Sequence, residues 1–341
     1  MIFFETTNSL YLALLKIQTE YSMFDSAQLK NPFVDNINKI IKRCNKYAPK
    51  NKSKTKQINE EKKMNIYELY TYNMKKYCIG EFSSNKNTFK FESINDKIMN
   101  NGGQKIMEEI TGITKSAPIM YDSSIFTKFD PANILLFISL ITGPKDTPYS
   151  NGCFIFSINL PKTYPNKCPH VTIITTGRGK VRFNPNLYEN GKVCLSLLGT
   201  WEGHNSEKWN PSLSTIQQVL ISIQSLILVD DPYFNEPGYQ STIGTPSGIS
   251  ASKDYNDNIR LQTMKWGILD HLKNPLEEWK YILNNHFYYK KDDIIKTCQT
   301  WVNETSNKEE YEKVFNDIKN HLSTIELLNE EEEEEENSDN E

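Results

Sequence analysis

The chain has 341 residues, room for one large domain or two modest ones, and 38% of them are hydrophobic, with 16 Phe and 18 Tyr to fill a core. A formal net charge of −4 and a pI near 5.9 leave no basic footprint for nucleic acid. Six cysteines at irregular spacings, with no CxxC pair, indicate neither a zinc site nor a disulfide scaffold and suit a reducing compartment, and no apolar run approaches the roughly 20 residues of a membrane span.

Residues 10–17 are apolar, but Glu5 precedes them and there is no basic n-region, so they read as a helix rather than a signal peptide. Leu10, Leu14, Ile17 and Tyr21, then Phe33, Ile37, Ile40 and Ile41, recur at helical spacing and predict amphipathic helices within residues 1–46. Such helices either pack on a main domain or form a hairpin for a partner. Residues 47–63 are Lys, Asn and Gln with no apolar period, a solvated linker. Aromatic residues return over 64–100, where a helix at 65–77 followed by a hairpin is expected.

The main domain is expected over residues 101–305. Ile106, Ile110 and Ile113 share one face of a first helix. Extended runs at 124–129, 134–141, 153–160 and 171–175, parted by Pro, Gly and Asp turns, predict a four-stranded antiparallel meander. Residues 213–228 form a long apolar helix. Helix, four strands, irregular loop and helix make an α+β fold. Residues 240–253 then read as a loop, and 255–272, 276–287 and 292–304 as helices. A terminal helix is expected over 306–328. Residues 329–341 make an acidic tail, either disordered and solubilising or a dock for basic partners.

Between the last strand and the long helix runs Phe183-Asn184-Pro185-Asn186-Leu187-Tyr188-Glu189-Asn190-Gly191-Lys192-Val193-Cys194-Leu195-Ser196. Asn-Pro-Asn is turn chemistry, and Gly191 can take positive φ, so Asn186 lies on a tight loop able to fold back over Cys194. An amide beside a thiol supplies a nucleophile and a donor for an oxyanion, two parts of an acyl-transfer site. Alone the signal is weak, because a single cysteine is more often an inert buried residue.

The flanking motifs add to it. Gly143-Pro144-Lys145-Asp146-Thr147-Pro148-Tyr149-Ser150-Asn151-Gly152-Cys153-Phe154 resembles the ubiquitin-conjugating (E2) signature GPxxTPYxxGxF. The run Leu160-Pro161-Lys162-Thr163-Tyr164-Pro165-Asn166-Lys167-Cys168-Pro169 is similar to the P-x-x-YP-x-x-x-P turn of that fold, and Trp209-Asn210-Pro211-Ser212 to its W-x-P loop. Val193-Cys194-Leu195-Ser196-Leu197-Leu198-Gly199-Thr200-Trp201 and Pro232-Tyr233-Phe234-Asn235-Glu236-Pro237-Gly238-Tyr239 resemble the large E2s of the BRUCE (apollon) type, with its relatives E2-O and E2-Z. The likeness covers about residues 117–305.

The resemblance implies a UBC-like fold and a catalytic Cys194 that takes ubiquitin from an E1 as a thioester and passes it to a substrate lysine. It implies that Asn186 holds the loop or stabilises the oxyanion, and that Tyr188 and Asp231 line the groove for the lysine. A thiolate so used should be partly exposed at the rim of a groove. Which of Asp230 and Asp231 faces the groove is not legible. Cys153 and Cys168 read as structural, while Cys44, Cys78 and Cys298 have no motif.

Several departures bear on partners. Asn184 stands where the family has a histidine, and Asn166 where many E2s show an apolar residue to ligases, which leaves the E3 open. Glu108 and Glu109 on the first helix, with Lys105 alone basic, point to a non-standard E1. Residues 202–208 would add a lobe beside the groove. Ubiquitin, an E1 and substrate proteins are the implied partners, the cytoplasm or also the nucleus the implied location, and no cofactor is implied, since ATP is used by the E1. An E2 for another ubiquitin-like modifier, a combined E2/E3 and a non-catalytic ubiquitin-binding scaffold are the competing readings.

Overall fold

Asn65 opens the first helix by capping it: Oδ1 accepts from the Glu68 N–H at 3.0 Å, and the Asn65 N–H donates to Glu68 Oε2 at 3.1 Å. The computed structural model describes residues 64–84, 102–201 and 204–328. The expected N-terminal helices, the linker, most of the hairpin region and the acidic tail lie outside the described residues.

Helix α1 (Ile66–Met74) buries Tyr70 and Met74 and runs through a short 3₁₀ turn into strand β1 (Ile79–Glu81). The helix matches the expectation for residues 65–77. Strand β1 pairs in parallel with a strand far along the chain, Ile79 beside Thr127 and Glu81 beside Phe129. A local pattern cannot announce such a long-range pairing.

Helix α2 (Gly102–Ser116) follows, then the two-residue strand β2 (Ile119–Met120) and the expected meander: β3 (Ser123–Phe129), β4 (Leu136–Thr142), β5 (Cys153–Asn159) and β6 (His170–Ile173). Each pairs antiparallel with the next, Ile125 opposite Ile141, Leu140 opposite Ile155, Phe156 opposite Ile173. With β1 and β2 against β3 the sheet has six strands. Every residue of β4 is buried, so the sheet is covered on both faces.

The long apolar helix starts at Ile216, because Asn210-Pro211 makes a turn and Thr215 and Gln218 close a reciprocal cap at 3.1 Å in each direction. This is α3 (Ile216–Ser222), extended by a π turn over Ile223–Ile227. The stretch read as a loop over 240–253 departs from expectation. Thr245 caps and Pro246 begins α4 (Pro246–Gln262), and Gly248 lies where a Cβ would meet Thr242 O at 2.1 Å, so its smallness serves close packing rather than a loop. After a π turn (Thr263–Leu269) comes α5 (Asp270–Lys273).

The two helices expected over 276–304 are one, α6 (Lys280–Glu304), because no Gly or Pro interrupts it and Lys290 pairs with Asp293 at 2.7 Å across the expected break. The last helix is α7 (Lys308–Ser323). Tyr70 and Met74 at one end of the chain, and Tyr311, Phe315 and Ile318 at the other, belong to the same core cluster as the sheet. The hydrophobic core therefore extends beyond the span 101–305 at both ends.

Buried polar groups fasten the C-terminal half to the sheet side. His271 Nε2 bonds Cys153 O at 3.0 Å, and His286 bonds Asn151 O at 3.2 Å through Nε2 and the Tyr70 hydroxyl at 2.9 Å through Nδ1. Lys290 Nζ donates to Tyr121 O at 3.1 Å. Burial pushes both histidines down, His286 to about 3. Unfolded, each takes a proton near pH 6.5; folded, each stays neutral, so their contribution is complete above pH 6.5 and is lost as pH falls below it. Urea unfolding at pH 8, 6 and 5 should show stability falling below pH 6.5, by about 1.4 kcal/mol per pH unit from His286, with His271 adding a loss in the same direction. A flat stability down to pH 5 would contradict this.

Candidate active site

Asn184 organises the loop that carries the cysteine. Fully buried, it donates from Nδ2 to Ile227 O at 2.8 Å and to the Tyr149 hydroxyl at 3.1 Å, and its Oδ1 accepts from the Asn186 N–H at 2.8 Å and from Asn235 Nδ2 at 3.4 Å. Tyr149 in turn donates to Phe183 O at 2.8 Å. The Asn-Pro-Asn turn is thus tied to the TPY motif, to the end of the π turn after α3, and to the 3₁₀ turn at Pro232–Asn235.

Asn186 and Cys194 are brought together, as expected. The Cys194 N–H donates to Asn186 O, and Asn186 Nδ2 donates to Cys194 O, both at 2.9 Å. The amide therefore holds the backbone around the cysteine rather than pointing at its sulfur, while Asn186 Oδ1 is buried without a hydrogen-bond partner. Between the two residues the chain reverses through Gly191 at φ 92°, where a Cβ would meet Thr172 Cγ2 at 2.6 Å. Thr200 locks the far side, accepting from the Leu195 N–H at 3.0 Å and donating to Val193 O at 2.8 Å.

Cys194 was expected to be partly exposed; it is 2% exposed. The backbone bond to Asn186 O draws it under the turn, and a 3₁₀ turn at Ser196–Leu198 follows at once. Burial pushes its thiol up, while the nearby charges of Lys192 and Arg182 act in the opposite direction. Cys78, Cys153 and Cys298 are also buried with thiols pushed up, and no cation opposes burial at Cys153 or Cys298. Cys168 is half-buried and donates to Leu198 O at 3.3 Å.

Tyr188 is half-buried beneath two cations, with the Arg182 guanidinium carbon 4.3 Å and Lys192 Nζ 5.5 Å from its ring centroid. Asp231 accepts from Ser252 of α4 at 2.6 Å and lines a cleft of about 340 Å³ with Phe234, Ile243, Ile249 and Arg260, to which no residue of the cysteine loop contributes. Glu236 is the acid that reaches the loop: Arg182 Nη2 donates to its Oε2 at 3.1 Å and to Pro185 O at 2.7 Å. Sequence reasoning missed Glu236, although it lies within the Pro232–Tyr239 motif already singled out.

The ubiquitin-conjugating enzyme family model matches residues 105–263. Residues 105–263 belong to the ubiquitin-conjugating enzyme family. A probable ubiquitin-conjugating enzyme E2 of Acanthamoeba polyphaga mimivirus is 39% identical over 86% of this chain and 21% of its own length. The human dual E2 ubiquitin-conjugating enzyme/E3 ubiquitin-protein ligase BIRC6 is 44% identical over 65% of this chain and 5% of its own. A probable ubiquitin-conjugating enzyme of Caenorhabditis elegans is 45% identical over 60% and 28%. The chain thus spans under a third of each of these relatives.

The surface differs from expectation at several places. Glu109 does not face outward: it is 3% exposed, accepting from the Tyr164 hydroxyl at 2.6 Å on Oε1 and from the Ile216 N–H at 2.9 Å on Oε2. Glu108 stays on the surface, so the first helix of the E2 domain presents one acid fewer than its sequence suggests. Asn166 is exposed on the turn, with Trp209 Nε1 donating to Pro165 O at 2.6 Å beside it. Of the expected lobe, residues 204–208 are described and contain a 3₁₀ turn at Asn205–Glu207. Among the described residues no cluster of His, Cys, Asp and Glu could hold a metal ion, and no helix is long and apolar enough to cross a membrane.

The hub at Asn184 is directly testable. Asn184→Ala removes a side chain whose partners are buried, and each group left unpaired costs about 1–3 kcal/mol. Urea unfolding should show a loss of roughly 3 kcal/mol or more, and hydrogen exchange should show the Asn186 amide deprotected beyond the global change. A near-wild-type midpoint would mean that the loop holds itself.

Proposed function

We propose that this chain is a working E2: it accepts ubiquitin from an E1 as a thioester on Cys194 and transfers it to a substrate lysine. The observation that carries the reading is the pairing of Cys194 with Asn186 in a family-matched domain, with Tyr188, Arg182 and Glu236 grouped on the same loop side. In loading, the Cys194 thiolate attacks the carbonyl carbon of the E1 thioester and the E1 cysteine leaves as thiolate. In transfer, a neutral amine attacks, the carbon–sulfur bond breaks, and the nitrogen loses a proton to solvent.

Asn186 supports both steps by holding Cys194 O, and to serve as an oxyanion donor its Nδ2 must first leave that carbonyl. Glu236, with Tyr188, is assigned the acceptor side in place of Asp231. No cofactor is needed on this chain, since the E1 uses the ATP. A reducing compartment, cytoplasm or nucleus, suits the free thiol. The human relative BIRC6 is named for both E2 and E3 activities; in this chain, α4 to α7 would supply the added substrate contacts of such a hybrid. Another ubiquitin-like modifier in place of ubiquitin is the second reading, and charging with each modifier in turn separates the two. A non-catalytic scaffold is disfavoured by the cysteine itself.

Incubated with E1, ATP and ubiquitin, the protein should give a band on non-reducing gels that dithiothreitol removes. Cys194→Ala should abolish it and Cys194→Ser should leave a reductant-stable oxyester. A band that persists in Cys194→Ala would place the thioester on another cysteine.

Among the acids, Glu236→Gln should slow discharge of the thioester to free lysine by about tenfold or more, within the range of general-base and positioning groups. Asp231→Asn should discharge within about twofold of wild type, since that carboxylate serves Ser252. The reverse ranking in single-turnover discharge would restore Asp231 to the acceptor side.

A further inference from the structure

Two cations, Arg182 and Lys192, act on Cys194, and Arg182 ties the cysteine loop to the Glu236 carboxylate. Arg182 Nη2 bonds both Pro185 O and Glu236, and its plane covers Tyr188, so three contacts fix one guanidinium. The charged and titratable groups that meet there are Arg182 and Lys192 from the loop, Glu236 from the turn after Asn235, Tyr188, and Tyr255 of α4, which burial keeps neutral. Cys194 lies within the field of both cations. Arg182 supplies a hydrogen bond that aims the Glu236 carboxylate.

A lysine arrives from water as an ammonium and must attack as an amine. A lone carboxylate beside it would favour the charged form, whereas an adjacent cation disfavours it. The guanidinium stays protonated throughout the working range, so its charge is constant.

We propose that Arg182 is a positioning residue of the transfer step: it aims Glu236 at the acceptor side and offsets its charge, so that lysine approaches Cys194 as the neutral amine. This rests on the thioester chemistry proposed above. The amine nitrogen bonds to the thioester carbonyl carbon, the carbon–sulfur bond breaks with its electron pair going to Cys194, and the nitrogen's proton passes to solvent. Arg182 takes no part in the bond changes; it sets how much of the lysine is in the attacking form.

The test uses the full chain, charged with ubiquitin by E1 and ATP and then chased with free lysine in single turnover at pH 6 to 11, a range that spans the titration of the free amine at about 10.4. In wild type the rate should climb with pH. In Arg182→Gln the rate at pH 7 should fall about tenfold, the loss should shrink as pH rises, and the rising limb should sit about one pH unit higher. Arg182→Lys, which keeps the charge, should hold the limb at its wild-type position. Arg178→Gln removes an equal charge beside Trp266 and Asp270, and its limb should match wild type.

An Arg182→Gln limb that does not move, an equal loss at every pH, or an Arg182→Lys limb displaced as far as that of Arg182→Gln overturns the role. Alkylation of uncharged protein by iodoacetamide, read at the Cys194 peptide by mass spectrometry, measures the same field without ubiquitin. Its pH midpoint should rise in Arg182→Gln and stay in Arg182→Lys, and an unmoved midpoint in Arg182→Gln counts against the proposal. A wild-type chain that takes no thioester overturns the function and this role together, whereas a charged wild type with an unmoved variant limb overturns the role alone.

Discussion

A neutral amide in a dry place, the Asn184 side chain, is what the Cys194 loop depends on. Its two ends are used fully, donors to Ile227 O and the Tyr149 hydroxyl, acceptor from the Asn186 N–H and Asn235 Nδ2. An uncharged group suits the position, because a charge buried there would need a partner that the site does not supply. Through Tyr149 and Phe183 O the same network reaches the turn before β5. The cysteine, its asparagine and the 3₁₀ turn leading to Glu236 therefore move as one piece.

That piece is mounted on a sheet closed on both faces. The C-terminal helices are fixed to it by polar groups with few alternatives: His271 on Cys153 O, His286 on Asn151 O, Lys290 on Tyr121 O. Asn151 and Cys153 flank the start of β5, in the stretch that also holds Tyr149. Packing of the extension and placement of the active loop thus share a short segment of chain, and the extension is part of the fold rather than an appendage.

The sequence made the meander plain because strand length, turn residues and apolar runs are local. The Asn186–Cys194 pairing was legible for the same reason, since a turn and a positive-φ glycine bring nearby residues together. Three features were hidden by their dependence on distant partners. Glu109 reads as a surface acid until Tyr164 and the α3 N-terminus are placed against it. The start of α4 looked like a loop because Ser, Gly and Thr are poor helix formers, and only the Thr245 cap and the tight approach at Gly248 offset that. Asp231 and Glu236 share one motif, and only the positions of Ser252 and Arg182 separate their contacts.

Glu109 has a consequence of its own. One carboxylate serves the helix that opens the domain, through its own place on α2, the turn that carries Tyr164 and Asn166, and the first amide of α3. Burial raises its affinity for a proton, opposed by the Tyr164 and Ile216 bonds, so its ionised state depends on keeping both. A descendant that exchanged the tyrosine hydroxyl for a phenyl ring would leave Glu109 Oε1 with only the Lys105 ion pair at 3.6 Å, and drift at position 109 toward an uncharged side chain would follow. Positions 109 and 164 should therefore change together, and the surface turn bearing Asn166 inherits a history written partly in the core.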